Sequence, residues 1–210
     1  YYMFHYDTVG KLLIYELIKA ADRGVRVRLL IDDMYGNVRE DVWTALDSPS
    51  HFEVRLFNPF LRNRPRVLQL LTRLKDVNYR MHSTSSPGDT AATIVGGRNI
   101  GDEYFGLSTH FNFLDLDLLA AGPVVAAVTG TFDYYWNSDW TYPGEALKTD
   151  LPADALDRAR REIGNVLAAE ADVLAAFPIE KGNWESELAV LPHGMHVGVG
   201  HVAVDNLPAG

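Results

Sequence analysis

The chain contains no cysteine. Disulfides, thiol nucleophiles and cysteine-ligated zinc are therefore excluded, and the redox compartment leaves no trace in the sequence. A basic excess is also missing: 19 Lys and Arg stand against 28 Asp and Glu, for a formal net charge of −9. A broad electrostatic grip on nucleic acid or anionic lipid needs a basic face, so the balance disfavours both and leaves room only for a small local basic pocket. No apolar run approaches the roughly 20 residues that span a bilayer, and no secretory leader is visible. Internal repeats and low-complexity linkers are absent too. The chain opens on Tyr1-Tyr2-Met3-Phe4. That run reads as the end of a strand whose beginning is missing, so a fragment is expected, with any targeting signal upstream.

What is present suits a folded α/β domain. Hydrophobic residues make up 47% of 210 and charged residues 22%, enough apolar surface for a sizeable core. Asp7 and Thr8 offer a helix N-cap, Leu12, Leu13, Leu17, Ile18 and Ala21 follow at helical spacing, and Gly24 stops the helix. Val25, Val27, Leu29 and Ile31 alternate with arginines as a strand that ends in Asp32-Asp33. Asn37 and Glu40 make a capping box for a helix carrying Val38, Val42, Trp43 and Leu46, and Phe52, Val54 and Leu56 alternate again. Strand, helix, strand, helix, strand in 57 residues predicts a largely parallel sheet start.

Beyond a loop bearing Arg62, Arg64 and Arg66, a helix from Val67 is expected, then short strands at Tyr79–His82 and Thr93–Gly96 and a longer one at Leu114–Ala121. Gly122-Pro123 opens a helix whose face carries Val124, Val128, Phe132 and Trp136. Another helical stretch runs from Pro152 to about Phe177, and the tail from Leu191 has strand-like Val199, Val202 and Val204. The expected fold is therefore α/β: a mixed, mainly parallel sheet flanked by helices, with a C-terminal helical extension.

The chemistry-bearing stretch is Met81 to Asp89 followed by Ile94 to Asn99. It offers His82 leaving a strand, Asp89 seven residues on, and the turn Gly96-Gly97-Arg98-Asn99. Backbone amides of a Gly-Gly turn can approach an anion closely, Asn99 adds a side-chain donor, and a His beside such a site can act as nucleophile or proton shuttle. Taken alone, a solvated loop with a surface His accounts for these features better than a site does. Three further clusters invite the same comparison. His193, His196 and His201 have no carboxylate at helical spacing, so no metal is expected there. His5 with Asp32 or Asp33 is better read as a hydrogen bond at a sheet end than as a site. The arginines at 62, 64 and 66 fit a solvated loop better than a lipid headgroup site.

His82, Asp89, Gly96, Gly97 and Asn99 fall in register with His-x-Lys-x4-Asp-x6-Gly-(Gly/Ser)-x-Asn. That motif marks the phospholipase D superfamily. The run Ile94 to Phe105 resembles its bacterial cardiolipin synthase branch almost residue for residue. Ala20 to Val27, Asp115-Leu116-Asp117 before Gly122-Pro123-Val124-Val125, and Phe132-Asp133-Tyr134-Tyr135-Trp136-Asn137-Ser138 carry the likeness through nearly the whole chain.

The resemblance implies phosphatidyl transfer on a phospholipid such as phosphatidylglycerol, without metal or other cofactor. It implies a histidine nucleophile, His82, and phosphate binding by Gly96, Gly97 and Asn99. Glu103 or Asp89 would orient the imidazole, or serve as a plain structural hydrogen bond. It also implies a bacterial, cytoplasmic or peripheral inner-membrane setting. Residues 1–150 would form a phospholipase D-like domain with its first strand truncated, 151–190 a helical extension, and 191–210 the start of a missing second domain of the same kind.

Two departures qualify these expectations. Thr84 replaces the motif lysine, and Ser85-Ser86-Pro87-Gly88 stands where the family has a hydrophobic strand. Proline and glycine suit an interior strand poorly. Thr84-Ser85-Ser86 can be encoded ACA AGC TCN, and the same letters shifted by one base read as a codon ending in AC followed by Lys and Leu. A compensated frameshift would thus explain the segment. A second motif is also absent, so a partner half or a homodimer is expected to complete the site. The sequence leaves three readings: a transferase half inactive alone, a pseudoenzyme that binds phosphate or phospholipid, and a homodimeric phosphodiesterase or nuclease.

Overall fold

The structure is a computed structural model that describes residues 1–34, 40–47, 51–60, 79–81, 84–89, 91–147, 151–175, 186, 189–190, 193–204 and 207. Helix α1 spans Thr8–Asp22, and the Asp7 carboxylate accepts the Gly10 N–H at 3.1 Å to cap it. Gly24, at φ +88°, turns the chain out of the helix into strand β1, Val27–Asp32. Helix α2, Glu40–Leu46, leads to strand β2, Phe52–Phe57, which pairs with β1 in parallel from Val27–Phe52 to Asp32–Phe57.

The next two strands form a hairpin: β3, Thr84–Gly88, and β4, Ala92–Gly96. Strand β5, Asp117–Ala121, runs antiparallel on the far side of β4. Helix α3, Val124–Trp136, follows, and β6, Thr141–Pro143, returns antiparallel to β2. Helices α4, Ala155–Ala169, and α5, Ala171–Leu174, follow β6. No described helix is long and apolar enough to cross a membrane.

The fold is mixed α/β, with two three-stranded sheets ordered β1-β2-β6 and β3-β4-β5. The expected parallel start is the β1–β2 ladder, and the other ladders are antiparallel. The extended segment Tyr1–His5 stitches the sheets together. On one side Tyr1 N donates to Leu30 O at 2.8 Å and Asp32 N to Tyr1 O at 2.9 Å. On the other, His5 N donates to Ile100 O at 2.8 Å and Ile100 N to Met3 O at 3.2 Å.

Successive side chains of a strand point to opposite faces, and β1 feeds two cores accordingly. Leu29 and Ile31 enter a cluster with Phe4, Ile14, Ile18, Val42, Leu46 and Val54. Leu30 enters a second with Phe57, Met81, Tyr135 and Trp136. Each such side chain fully buried contributes about 1.5–3 kcal/mol. Ile163 of α4 is fully buried in the first cluster, and the Arg160 guanidinium grips Asp22 of α1 at 2.7 and 3.0 Å.

Two segments differ from expectation. Tyr79–Met81 is not a strand, because side chains take its backbone: Asn58 Nδ2 donates to Tyr79 O at 2.9 Å, and Asp32 Oδ2 accepts the Met81 N–H at 3.2 Å. The strand is instead Thr84–Gly88, which the composition argues against. It forms at a sheet edge, where Pro87 can face away from a ladder partner. In the tail, residues 195–204 form no strand, and Val197 and Val199 stand in solvent. Asn37, His82, the helix expected from Val67 and the arginines at 62, 64 and 66 lie outside the described residues.

Candidate active site

The β3–β4 hairpin brings Thr84 opposite Gly96. Thr84 is buried, and its hydroxyl donates to the Gly96 carbonyl. A Cβ on Gly96 would collide with Asp117 Oδ1 and sit 2.8 Å from Leu116 O. One on Gly97 would sit 2.5 Å from Asp115 Oδ1. The two glycines therefore admit the carboxylates of Asp115 and Asp117 against the turn. Arg98 holds that arrangement: its Nε donates to Asp117 Oδ2 at 2.6 Å, its Nη2 to Asp115 O at 3.2 Å, and its Nη1 to Tyr104 O.

Asn99 is buried, with Oδ1 accepting the Met3 N–H at 3.1 Å and Nδ2 3.4 Å from the Tyr104 hydroxyl. Burial pushes the Tyr104 phenol up; the Asn99 hydrogen bond opposes this, and the charges of Glu103 and Asp115 add to it. Five of the expected site residues, Thr84, Gly96, Gly97, Asn99 and Glu103, thus lie on the hairpin's open end or the short turn after it.

Among known proteins, no family model and no solved structure matches the chain significantly. It is 48% identical over 136 residues to "Cardiolipin synthase C" of Escherichia coli (strain K12), covering 65% of this chain and 29% of that protein. It is 33% identical over 144 residues to "Cardiolipin synthase 2" of Staphylococcus epidermidis, covering 67% and 28%. It is 33% identical over 140 residues to "Major cardiolipin synthase ClsA" of Bacillus subtilis (strain 168), covering 65% and 27%. These similarities to cardiolipin synthases support assigning the chain to the cardiolipin synthase-like branch of the phospholipase D superfamily. It spans under a third of the length of these relatives.

The hairpin separates the expected motif residues. Asp89 occupies the closed tip of the hairpin at φ +48°, exposed, where Ala91 N donates to Gly88 O at 2.9 Å. Four residues of β4 separate that tip from Gly96, about 13 Å of strand. His82 lies outside the described residues, but the chain on either side of it is anchored. Asp32 is fully buried and accepts from Met34 N at 2.8 Å, Arg80 Nη1 at 3.0 Å and Met81 N at 3.2 Å. Arg80 Nη1 also reaches Asn58 O at 3.1 Å, and Asp33 Oδ2 accepts from Phe60 N at 2.9 Å. Burial raises the Asp32 carboxyl, with Arg80 opposing.

His5 faces Glu103 rather than Asp32 or Asp33: its Nδ1 is 3.1 Å from Glu103 Oε1 and 4.0 Å from Asp7 Oδ2. These three are the one group among the described residues whose donor atoms lie close enough to share a metal ion. Asp7 is already committed to Gly10 N and, through Oδ2, to Asp102 N at 2.8 Å. His193, His196 and His201 are exposed. Sequence reasoning gave no role to Asp115 and Asp117 against the glycines, although their alternation along the approach to β5 was visible.

Proposed function

We propose that the chain is one half of a phospholipase D-type phosphatidyltransferase acting on a phospholipid such as phosphatidylglycerol. The observation that carries this reading is the gathering of Thr84, Gly96, Gly97 and Asn99 at one end of the hairpin that His82 precedes in sequence. In this reading an imidazole nitrogen of His82 attacks phosphorus. The P–O bond to the leaving alcohol breaks, a histidine of the other half protonates that alcohol, and an incoming alcohol resolves the phosphohistidine. Asn99 Oδ1 is occupied by Met3 N and one N–H of Nδ2 donates to the Tyr104 hydroxyl, so its second N–H is the one that would meet a phosphate oxygen. Gly97 allows close approach of the backbone. Glu103, in the short turn after the hairpin and facing His5, and Asp115, beside Gly97, are the candidates to orient an imidazole there, whereas Asp89 sits at the hairpin's closed tip.

The chain alone is expected to be inactive. Thr84 has no charge, and its hydroxyl is spent on Gly96 O. Losing one preorganised contact to developing charge costs about 10²–10³ in rate. The same observation favours the second reading, a pseudoenzyme that retains phosphate or phospholipid binding. A homodimer would bring together two threonines where two lysines belong, and the net charge of −9 disfavours a nuclease.

The test is phosphohistidine trapping with phosphate-labelled phosphatidylglycerol, with Thr84→Lys and His82→Ala in parallel. Label on the native chain but not on His82→Ala makes it an enzyme as it stands. Label on Thr84→Lys alone makes it a half-site lacking one cation. Equilibrium binding of the lipid without label in either supports the pseudoenzyme, and no binding at all refutes both.

A further inference from the structure

A cavity of about 720 Å³ lies between α1, β1, the edge strand β3 and α3. Helix α1 lines it with Leu13, Leu17 and Ala20, and β1 with Val27 and Leu29. Met81, Phe132 and Tyr135 add to the apolar lining. The space exists because β3 presents Ser85-Ser86-Pro87-Gly88 to it, small residues where close packing would call for bulk.

Most of the polar side chains that border the cavity have partners within the protein. The Tyr1 hydroxyl and Ser86 Oγ share a 2.6 Å hydrogen bond. Arg26 pairs with Glu53 and Arg28 with Asp133, each at 2.7 Å. Thr129 Oγ1 donates to Val125 O and Thr131 Oγ1 to Ala127 O within α3. A ligand entering here gains mainly by burying hydrocarbon. The volume lies within the range of about 300–1,000 Å³ usual for small-molecule sites. Ser85–Gly88, four residues of β3, give the cleft a wall about 13 Å long, and Ser85 at one end of it adjoins Thr84, which pairs with Gly96.

We infer that this cleft binds one aliphatic chain, the acyl chain of a phospholipid whose phosphate reaches the Thr84–Asn99 end of the hairpin. The headgroup half of this statement rests on the proposed function; the hydrocarbon half stands on the lining alone.

The experiment titrates trans-parinaric acid, a fluorescent fatty acid, into the full chain. Saturable binding of one probe per chain is expected. Ser86→Phe places a ring in the cleft and should weaken binding about tenfold, the effect of denying burial to a couple of methylenes. Ala20→Phe, on the opposite wall, does the same and serves if Ser86→Phe fails to fold by circular dichroism. Leu118→Ser, on the exposed face of β5, should leave binding unchanged.

Absence of saturable binding overturns the inference. So does loss of binding in Leu118→Ser with both filling variants unaffected. Displacement of the probe by octanoic acid and by dioctanoylphosphatidylglycerol separates the two halves. A preference for the lipid that Asn99→Ala abolishes supports both, whereas equal displacement keeps the hydrocarbon cleft and sinks the phosphate reading.

Discussion

The carboxylate of Asp32 accepts the backbone N–H of Met81 at 3.2 Å, across 49 residues of sequence. The same carboxylate pairs with Arg80 at 3.0 Å, and both side chains are buried. The end of β1 therefore holds the chain immediately before His82. Removing one partner of a buried pair leaves the other charge uncompensated, at a cost of about 3–5 kcal/mol. Asp32→Ala should lose that much in urea denaturation, and Asp32→Asn, which keeps an acceptor for Met81 N, should lose less. Equal losses would mean that the ion pair alone matters and the Met81 contact does not.

Gly96 and Gly97 should not be equivalent. A Cβ at 96 meets backbone, Leu116 O at 2.8 Å and Asp117 Cα at 2.9 Å, as well as the Asp117 carboxylate. At 97 it meets the end of one side chain, Asp115, which can rotate away. Overpacking against atoms that cannot yield costs about 1–3 kcal/mol. Gly96→Ala should therefore lower the melting temperature by several degrees and Gly97→Ala by clearly less. The reverse order would show that the Asp115 carboxylate is fixed more firmly than the β5 backbone.

What could be read in advance divides along physical lines. Asp7 as a cap, Gly24 as a stop and the alternation through β1 and β2 are local signals, and the parallel unit formed as those signals dictate. Strand β3 is the opposite case. Thr-Ser-Ser-Pro-Gly has little intrinsic preference for a strand, and only the ladder with β4 and an edge position make it one. The Gly-Gly turn was legible as a place of close approach, but not that carboxylates from the same chain make the approach, since Asp115 and Asp117 are brought there by the β4–β5 register. Asp32 was legible as a strand end; its partner Met81 was not, because nothing local connects them.

Stability should depend on pH through Asp102. Burial raises its carboxyl above the ordinary value of 3.8; the Val9 N–H bond opposes this and the neighbouring Asp7 charge adds to it. The folded chain then holds a proton that the unfolded chain has released. In the window that opens at the ordinary carboxylate value and runs upward, stability falls as pH rises. Asp32 shifts in the same direction, so Asp102→Asn isolates one contribution. Urea midpoints measured across that window should decline less steeply in Asp102→Asn than in the native chain. Identical slopes would place the proton elsewhere.

Position 84 decides how much of the missing chemistry one residue accounts for. The Thr84 hydroxyl donates to Gly96 O, which ties β3 to the turn that carries Asn99. Thr84→Val keeps the shape and deletes the bond, at about 1 kcal/mol, or roughly 2–4 °C in melting temperature for a chain of this size. Thr84→Lys deletes the same bond and must also house a longer stem at a buried position, so its stability should fall at least as far. Its phosphate affinity should move the other way. A charge-assisted hydrogen bond contributes about 1.5–3 kcal/mol, or roughly ten- to a hundredfold in affinity. Calorimetric titration of inorganic phosphate into the two variants separates these effects. Tighter binding by Thr84→Lys than by Thr84→Val means that residue 84 faces the phosphate and that its lost charge silences the half-site. Equal binding means that residue 84 does not face the phosphate, and the damage then lies in the replaced strand from Ser85 to Gly88.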